Sequence, residues 1–103
     1  IGKHFPDTDM RFKDIASLKL LEQVQAMAEE QGFFCSNLDA VVICQKPRLA
    51  PYMDAMRGNI ARCLKIAPDG VNIKATTTEG MGFEGTGDGI SAQAVVMMKK
   101  NQY

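Results

Sequence analysis

The sequence predicts an α/β domain of the α+β sandwich type, in which helices cover one face of a small mixed sheet. Apolar residues recur at helical spacing in two segments, near residues 17–32 and 51–65. Three other segments, near residues 37–44, 71–75 and 90–99, are rich in apolar and β-branched residues and are bounded by turn residues. The resulting order of helix, strand, helix, strand, strand is typical of helices packed on a sheet.

The length and composition indicate one domain, spanning residues 1–103, with a modest core. A net charge of zero argues against a nucleic-acid surface, which needs a basic excess. No apolar run approaches the roughly 20 residues that cross a bilayer. We therefore expect neither a nucleic acid nor a membrane as partner. Cys35, Cys44 and Cys63 lack a C-x-x-C spacing, which favours reduced structural thiols over a disulfide framework or a zinc knuckle.

The first half of the chain predicts an extended polar loop over residues 1–13, then a helix and a buried strand. Ser17 is expected to cap the helix and Gly32 to end it. The predicted apolar face of this helix comprises Leu18, Leu21, Val24, Met27 and Ala28. Residues 37–44 are largely β-branched and apolar, which predicts a strand that is mostly buried.

The second half begins with a basic loop at residues 45–51, punctuated by proline. A second helix is predicted from about Pro51 to Lys65. Its expected apolar face comprises Met53, Met56, Ile60, Ala61 and Leu64. Residues 68–70 read Pro-Asp-Gly and predict a turn, after which residues 71–75 and 90–99 predict two strands.

Residues 74–89, between the last two strands, contain three consecutive threonines that are followed by Glu79 and five glycines. Hydroxyls and the backbone amides that glycine leaves accessible can bind phosphate oxygens, and the carboxylate of Glu79 can bind a divalent cation that accompanies a diphosphate. Taken alone, such a segment is more typical of a polar hairpin loop. The spacing Gly80-x-Gly82-x-x-Gly85 fits a dinucleotide fingerprint, but the segment after it predicts a strand instead of a helix, which argues against that fold.

Two further segments are ambiguous when taken alone. Residues 5–9, Phe-Pro-Asp-Thr-Asp, place two carboxylates beside a proline, which is more typical of a turn than of a site. Residues 45–48, Gln-Lys-Pro-Arg, place two cations directly after a strand, at the edge where open α/β sheets bind ligands. A solvated connecting loop is the simpler interpretation of this second segment. His4 has no nearby cysteine or second histidine and is not assigned as a metal ligand.

In order along the chain, these segments resemble the 2-C-methyl-D-erythritol 2,4-cyclodiphosphate synthase family. The likeness spans the whole chain. It is carried by residues 1–9 (Ile-Gly-Lys-His-Phe-Pro-Asp-Thr-Asp), 37–39 (Asn-Leu-Asp), 45–51 (Gln-Lys-Pro-Arg-Leu-Ala-Pro) and 71–79 (Val-Asn-Ile-Lys-Ala-Thr-Thr-Thr-Glu), and by the glycine pattern of residues 82–90.

The resemblance implies a metal-dependent, cyclising phosphorus–oxygen lyase of the non-mevalonate isoprenoid pathway. Such an enzyme converts 4-diphosphocytidyl-2-C-methyl-D-erythritol 2-phosphate to 2-C-methyl-D-erythritol 2,4-cyclodiphosphate and releases CMP. The 2-phosphate of the substrate attacks its own β-phosphorus, so no nucleophilic side chain is needed. The resemblance also implies a homotrimer with active sites between subunits, in the bacterial cytoplasm or the plastid stroma.

The resemblance assigns roles to individual residues. Thr76, Thr77 and Thr78 would contact the CDP phosphates, with Thr77 as the catalytic residue that stabilises the transition state. Glu79 would bind magnesium or manganese. The loop around the cytosine and ribose would comprise Cys44, Gln45, Lys46, Pro47, Arg48, Leu49 and Ala50. The other substrate-binding positions would be Gly2, Phe5, Pro6, Asp7, Thr8 and Asp9, together with Phe83 and Thr86 at a central cavity of the trimer.

The chain departs from the family pattern at its zinc ligands and at Thr86. The family holds zinc with an Asp-x-His pair and a second histidine, and residues 1–103 contain none of these. We therefore expect an N-terminally incomplete domain, and no turnover by these 103 residues in a zinc-replete assay. Thr86 replaces a common arginine, which predicts weak binding of isoprenoid diphosphates. Asp88 replaces the commoner glutamate, and this change has no interpretation.

Two other interpretations of the sequence stay open. The chain could be a catalytically inactive CDP-binding remnant or assembly module that lacks the zinc site. It could also be a generic α/β scaffold with accidental motif matches, which would bind no CMP.

Overall fold

A computed structural model of the protein describes residues 17–46, 48–85, 87 and 89–101. The loop predicted at residues 1–13 lies outside this part of the chain. The helices are α1 (Ser17–Glu30), α2 (Met53–Leu64) and the short α3 (Gly82–Gly85), and the strands are β1 (Phe33–Ile43), β2 (Val71–Thr76) and β3 (Ser91–Lys100). Single 3-10 turns at Ala50–Tyr52 and Pro68–Gly70 precede α2 and β2.

The three strands form one sheet in the order β2-β1-β3, with β1 in the centre. Strand β1 runs parallel to β2, and its last residue, Ile43, is in register with Thr76. It runs antiparallel to β3, with an irregularity between Cys35 and Asn37. The mixed sheet and the order of the five main elements confirm the predicted fold class. Because β1 and β2 are parallel, the loops that follow them leave the sheet at the same edge.

The core lies between one face of the sheet and the helices α1 and α2, as the sequence predicted. Residues of β1 and β2 that point to the helices alternate along each strand. The buried apolar cluster comprises Cys35, Leu38, Ala61, Leu64, Val71 and Ile73. Leu21, Ala40, Val42, Met53, Met56, Ile60 and Ile66 pack around it. The three cysteines are buried thiols.

Strand β3 is much more exposed than β1 and β2. Among the described strands it pairs only with β1, while α1 packs on β1 and α2 packs on β2. Val95 is 76% exposed and Met97 is 58% exposed. None of the helices in the described ranges has the length and apolar character that a membrane crossing requires.

The structure corrects several details of the predicted elements. In α1, Val24 is 42% exposed and Gln25 is buried instead, because the helix faces the core along residues 18, 21, 25 and 28. Strand β1 begins four residues earlier than predicted, at Phe33, in register with Lys100 at the end of β3. Helix α3 was not predicted at all.

The C-terminal ends of α1 and α2 are joined by a small polar cluster. Lys65 follows α2 in the left-handed conformation, with φ of 60°. Its ammonium lies 3.0 and 3.1 Å from the two carboxylate oxygens of Glu29. The amide of Gln25 donates to the same carboxylate at 3.3 Å. The hydrogen bond from Lys65, followed by that from Gln25, lowers the pKa of Glu29 below its usual value of 4.5.

Replacing Lys65 by methionine is expected to raise the pKa of Glu29, measured by NMR titration of its side-chain carboxyl. A carboxyl whose pKa is depressed by folding stabilises the folded state above its unfolded pKa and loses that contribution as pH falls. The stability difference between wild type and Lys65→Met should therefore shrink as pH falls below about 4.5. Lys19→Met, on the exposed side of α1, serves as the control. An unchanged pKa of Glu29 in Lys65→Met would contradict the interaction between Lys65 and Glu29.

Candidate functional site

A pocket of about 400 Å³ lies at the edge of the sheet where β1 and β2 both end. Its lining residues come from the loop after β1, from the end of β2 and from the residue that follows β2: Cys44, Gln45, Lys46, Arg48, Leu49, Ala50, Ala75, Thr76 and Thr77. The backbone N–H of Cys44 donates to the carbonyl of Thr76 at 2.9 Å, so the parallel pairing continues into the loops. Cys44 and Thr76, which are 32 positions apart in sequence, are thereby joined in one site.

The first wall of the pocket is the loop after β1. The Cys44 thiol donates to the carbonyl of Lys46 at 3.0 Å, which turns the chain back on itself directly after the strand. The loop ends where the N–H of Tyr52 donates to the carbonyl of Leu49 at 2.8 Å. Lys46 and Arg48 are exposed at the mouth of the pocket. Their positive charges make this loop attractive to an anionic ligand.

The second wall is formed by Thr76 and Thr77. The Thr77 hydroxyl oxygen accepts a hydrogen bond from the N–H of Glu79 at 3.2 Å. A hydroxyl can accept and donate at once, so Thr77 keeps a proton for a ligand. Thr78 differs from these two, because its hydroxyl donates to the carbonyl of Met81 and it does not line the pocket. The three threonines thus divide into two that face the pocket and one that holds the following turn.

The chain turns sharply after the threonines, through residues with positive φ. Glu79 has φ of 56° and Gly80 has φ of 88°. Helix α3 then folds Gly85 against this turn. A β-carbon on Gly85 would lie 2.7 Å from both the Gly80 Cα and the Thr78 hydroxyl, and closer still to the Gly80 carbonyl carbon. Only glycine leaves room for this approach.

Helix α3 is also joined to the last strand. The hydroxyl of Ser91, the first residue of β3, donates to the carboxylate of Glu84 at 2.5 Å. The glycine-rich segment is therefore a compact turn and helix connected to the strands on both sides. Sequence reasoning treated it as a simple loop, because a four-residue helix is too short to show a helical period.

The side chains present can be tested against the metals that the resemblance implies. The described ranges contain no group of three or more histidine, cysteine, aspartate or glutamate side chains that could hold a metal. Zinc therefore has no fitting ligand set there. Glu79 is exposed beside the pocket-lining threonines. Magnesium binds through one or two carboxylates together with substrate phosphates, so Glu79 fits one protein ligand of such a site.

Some predicted site residues lie outside the described part of the chain. These are Gly2, Phe5, Pro6, Asp7, Thr8, Asp9, Pro47 and Thr86. The backbone of Phe83 belongs to α3. One lining residue was missed by the sequence analysis: Ala75, which precedes Thr76 on β2. Its place directly before the threonines at the end of a strand was the available signal.

Comparison with known proteins places this geometry in a family. The model of the YgbB family matches residues 1–99. The chain belongs to the YgbB family. A YgbB relative from Desulfitobacterium hafniense, named 2-C-methyl-D-erythritol 2,4-cyclodiphosphate synthase, is 53% identical over 100 residues, covering 97% of this chain and 63% of the relative. A protein of the same name from Lachnospira eligens is 58% identical over 95 residues, covering 92% of this chain and 52% of its own length.

Solved structures of proteins similar in sequence share the fold of this chain. The bifunctional IspDF protein of Campylobacter jejuni matches with a TM-score of 0.91 and 41% identity, over 97% of this chain and 27% of that one. A 2C-methyl-D-erythritol-2,4-cyclodiphosphate synthase in its CDP-bound form matches with a TM-score of 0.85 and 26% identity, over 96% and 63% of the two chains. The chain spans between half and two thirds of the length of the curated relatives named above.

Replacing Gly85 by alanine is expected to destabilise the turn beside the pocket by about 1–3 kcal/mol, the usual range for a forced close contact. The added methyl group would clash with backbone atoms of Gly80, which cannot shift without a cost in free energy. Gly58→Ala is the matched control, because a β-carbon at this position in α2 meets nothing within 4 Å. That change should stabilise the helix by about 0.5–1 kcal/mol. Equal effects of the two substitutions on the free energy of unfolding would contradict the close approach of Gly85 to Gly80.

Proposed function

We propose that the protein converts 4-diphosphocytidyl-2-C-methyl-D-erythritol 2-phosphate to 2-C-methyl-D-erythritol 2,4-cyclodiphosphate with release of CMP. The observation that carries the proposal is the pocket that unites residues 44–46 and 48–50 of the basic loop with Thr76 and Thr77. Two observations support it: the curated relatives bear this enzyme's name, and a solved relative of the same name was determined with CDP bound. No observation favours a non-catalytic CDP-binding remnant.

The chemistry suits the side chains at this edge of the sheet. The substrate supplies its own nucleophile, so the protein has to align two phosphates and offset their charge. Lys46 and Arg48 place cationic groups at the mouth of the pocket, and the Thr77 hydroxyl can donate to a phosphoryl oxygen. We assign transition-state stabilisation to Thr77 on this basis. The loop at residues 44–50 would enclose the cytidine portion.

The proposed reaction also uses metal ions. A divalent cation would polarise the attacked phosphoryl group, and Glu79 is the described residue placed to hold magnesium or manganese. The exposed carboxylate stands one residue beyond the threonines, on a backbone fixed by the N–H···O contact to Thr77. Zinc, if used, requires ligands from outside the described ranges.

We further propose that the protein acts as a homotrimer, in the bacterial cytoplasm or the plastid stroma. Support for an oligomer comes from β3, where Val95, Val96, Met97 and Met98 are each between 38% and 76% exposed. Apolar groups on both faces of an edge strand are covered most simply by further copies of the chain. Residues from neighbouring copies could then complete the pocket.

In a protein that also carries the zinc-ligand segment, replacing Thr77 by valine is expected to lower kcat for CMP release by about 10²-fold, the usual effect of removing one transition-state hydrogen-bond donor. Valine keeps the shape of threonine and removes the hydroxyl. Thr77→Ser restores the hydroxyl and should recover most of the rate, which an assay of CMP by chromatography can follow. Release of CMP by Thr77→Val at the wild-type rate would exclude the assigned role. Absence of CMP release by the full wild-type protein would exclude the proposed function.

Replacing Val95 by lysine is expected to shift the protein from trimer to monomer, measured by sedimentation velocity. A charge at this exposed apolar position would have to be buried in the interface, where it has no partner. Gln23→Lys, on the exposed side of α1, is the control and should leave the mass unchanged. A wild-type protein that sediments as a monomer at all concentrations would contradict the proposed assembly.

A further inference from the structure

The chain leaves the sheet at Thr76, the last residue of β2, and returns to it at Ser91, the first residue of β3. Both residues stand in one row of the sheet, because each is in register with Ile43 at the end of β1. The segment between them carries Thr77 and Glu79, which the proposed function assigns to the phosphates and to a divalent cation. The placement of these two side chains therefore depends on how the segment is held against the sheet.

Glu79 has a backbone conformation that residues with a β-carbon disfavour. Its φ is 56°, in the left-handed region, where the β-carbon crowds the following carbonyl. A residue stays in such a conformation only when the surrounding structure holds it there. Two contacts do so: the Glu79 N–H donates to the Thr77 hydroxyl, and the next residue, Gly80, lies directly against Gly85. Helix α3, which ends at Gly85, thus supports the backbone that carries the Glu79 carboxylate.

Helix α3 is in turn anchored to the sheet by Glu84. One carboxylate oxygen, Oε2, accepts the hydrogen bond of 2.5 Å from the Ser91 hydroxyl, and both residues are half-buried. The other oxygen, Oε1, lies 3.2 Å from the point where a β-carbon on Gly82 would stand, so the carboxylate is folded back over its own helix. This bond spans seven positions, whereas the other hydrogen bonds of the described residues 77–85 and 87 join residues at most four positions apart. Glu84 thus joins the middle of the segment to the point where it returns to the sheet.

We propose that Glu84 is a positioning residue for the metal-binding carboxylate of Glu79. The hydrogen bond from Ser91 holds α3 in place. The contact of Gly85 with Gly80 then keeps Glu79 in its left-handed conformation. This inference rests on the proposed function, because it takes Glu79 to bind the divalent cation that accompanies the diphosphate. Glu84 touches neither the substrate nor the metal in this assignment.

Wild type is compared with Glu84→Met and Ser91→Ala, each of which removes one partner of the hydrogen bond. Electron paramagnetic resonance measures the affinity of the CDP complex for Mn²⁺, with the full chain in excess over CDP. Each variant should weaken Mn²⁺ binding about tenfold, the lower end of the usual effect of removing a group that orients a metal ligand. The double variant should show no further loss, because both changes break the same bond.

Two further variants and a metal-free titration separate positioning from general destabilisation. Glu84→Gln keeps an oxygen that can accept from Ser91 and should retain most of the Mn²⁺ affinity. Glu30→Met, at the exposed end of α1, is the control and should bind Mn²⁺ as wild type does. The Kd for CDP in the absence of metal should be the same in all variants, whereas a disrupted pocket would lose affinity for both ligands.

A measurement on the ligand-free protein reports the conformation of Glu79 directly. The amide and α protons of a residue with positive φ lie close together and give a strong NOE. This NOE at Glu79 should weaken in Glu84→Met and in Ser91→Ala and persist in Glu84→Gln. An unchanged NOE or an unchanged Mn²⁺ affinity in the first two variants would overturn the inference, and so would an equal loss of affinity for Mn²⁺ and CDP. Failure of wild type to bind CDP at all would overturn the proposed function together with this inference.

Discussion

The parallel pairing of β1 with β2 is the constraint on which the rest of the structure depends. In a parallel pair both strands end at the same edge, so the loops that follow are neighbours whatever their separation in sequence. Here the last ladder position joins Ile43 to Thr76, and one further backbone bond from Cys44 to Thr76 extends the pairing. A basic loop and a threonine run thereby become the two walls of one pocket.

The packing of the core at the other end of these strands fixes how β1 pairs with β2. Leu38 on β1 and Val71 on β2 are in register and both buried beneath the helices, together with Ile73. Burial of these alternate positions fixes the register, since a slip by one residue would turn the apolar set away from the helices. The same register determines that Thr76 stands opposite Ile43. Packing beneath α1 and α2 therefore sets the geometry of a site that lies at the end of the sheet.

The order of the elements could be predicted from the sequence, because it depends on local patterns, whereas the two loops were assigned to one site only through the family resemblance. Apolar periodicity identified α2 and its buried face, and the strand-to-loop transitions identified the site edge. The position of Gln25 in the core could not be predicted, since an amide is buried only where the fold supplies a partner such as Glu29. The close approach of Gly85 to Gly80 could not be predicted either, because it depends on a turn whose shape is determined by tertiary contacts.

The most direct test of the account is backbone amide NMR of the protein titrated with CDP. The account predicts that the largest chemical-shift changes fall on residues 44–46, 48–50 and 75–80, the two loops at the ends of β1 and β2. Little change should occur on the open face of the sheet around Asp39, Lys74 and Val95, where a second depression of about 320 Å³ lies. Shifts centred on that second depression, or no shifts at saturating CDP, would contradict the assignment of the pocket.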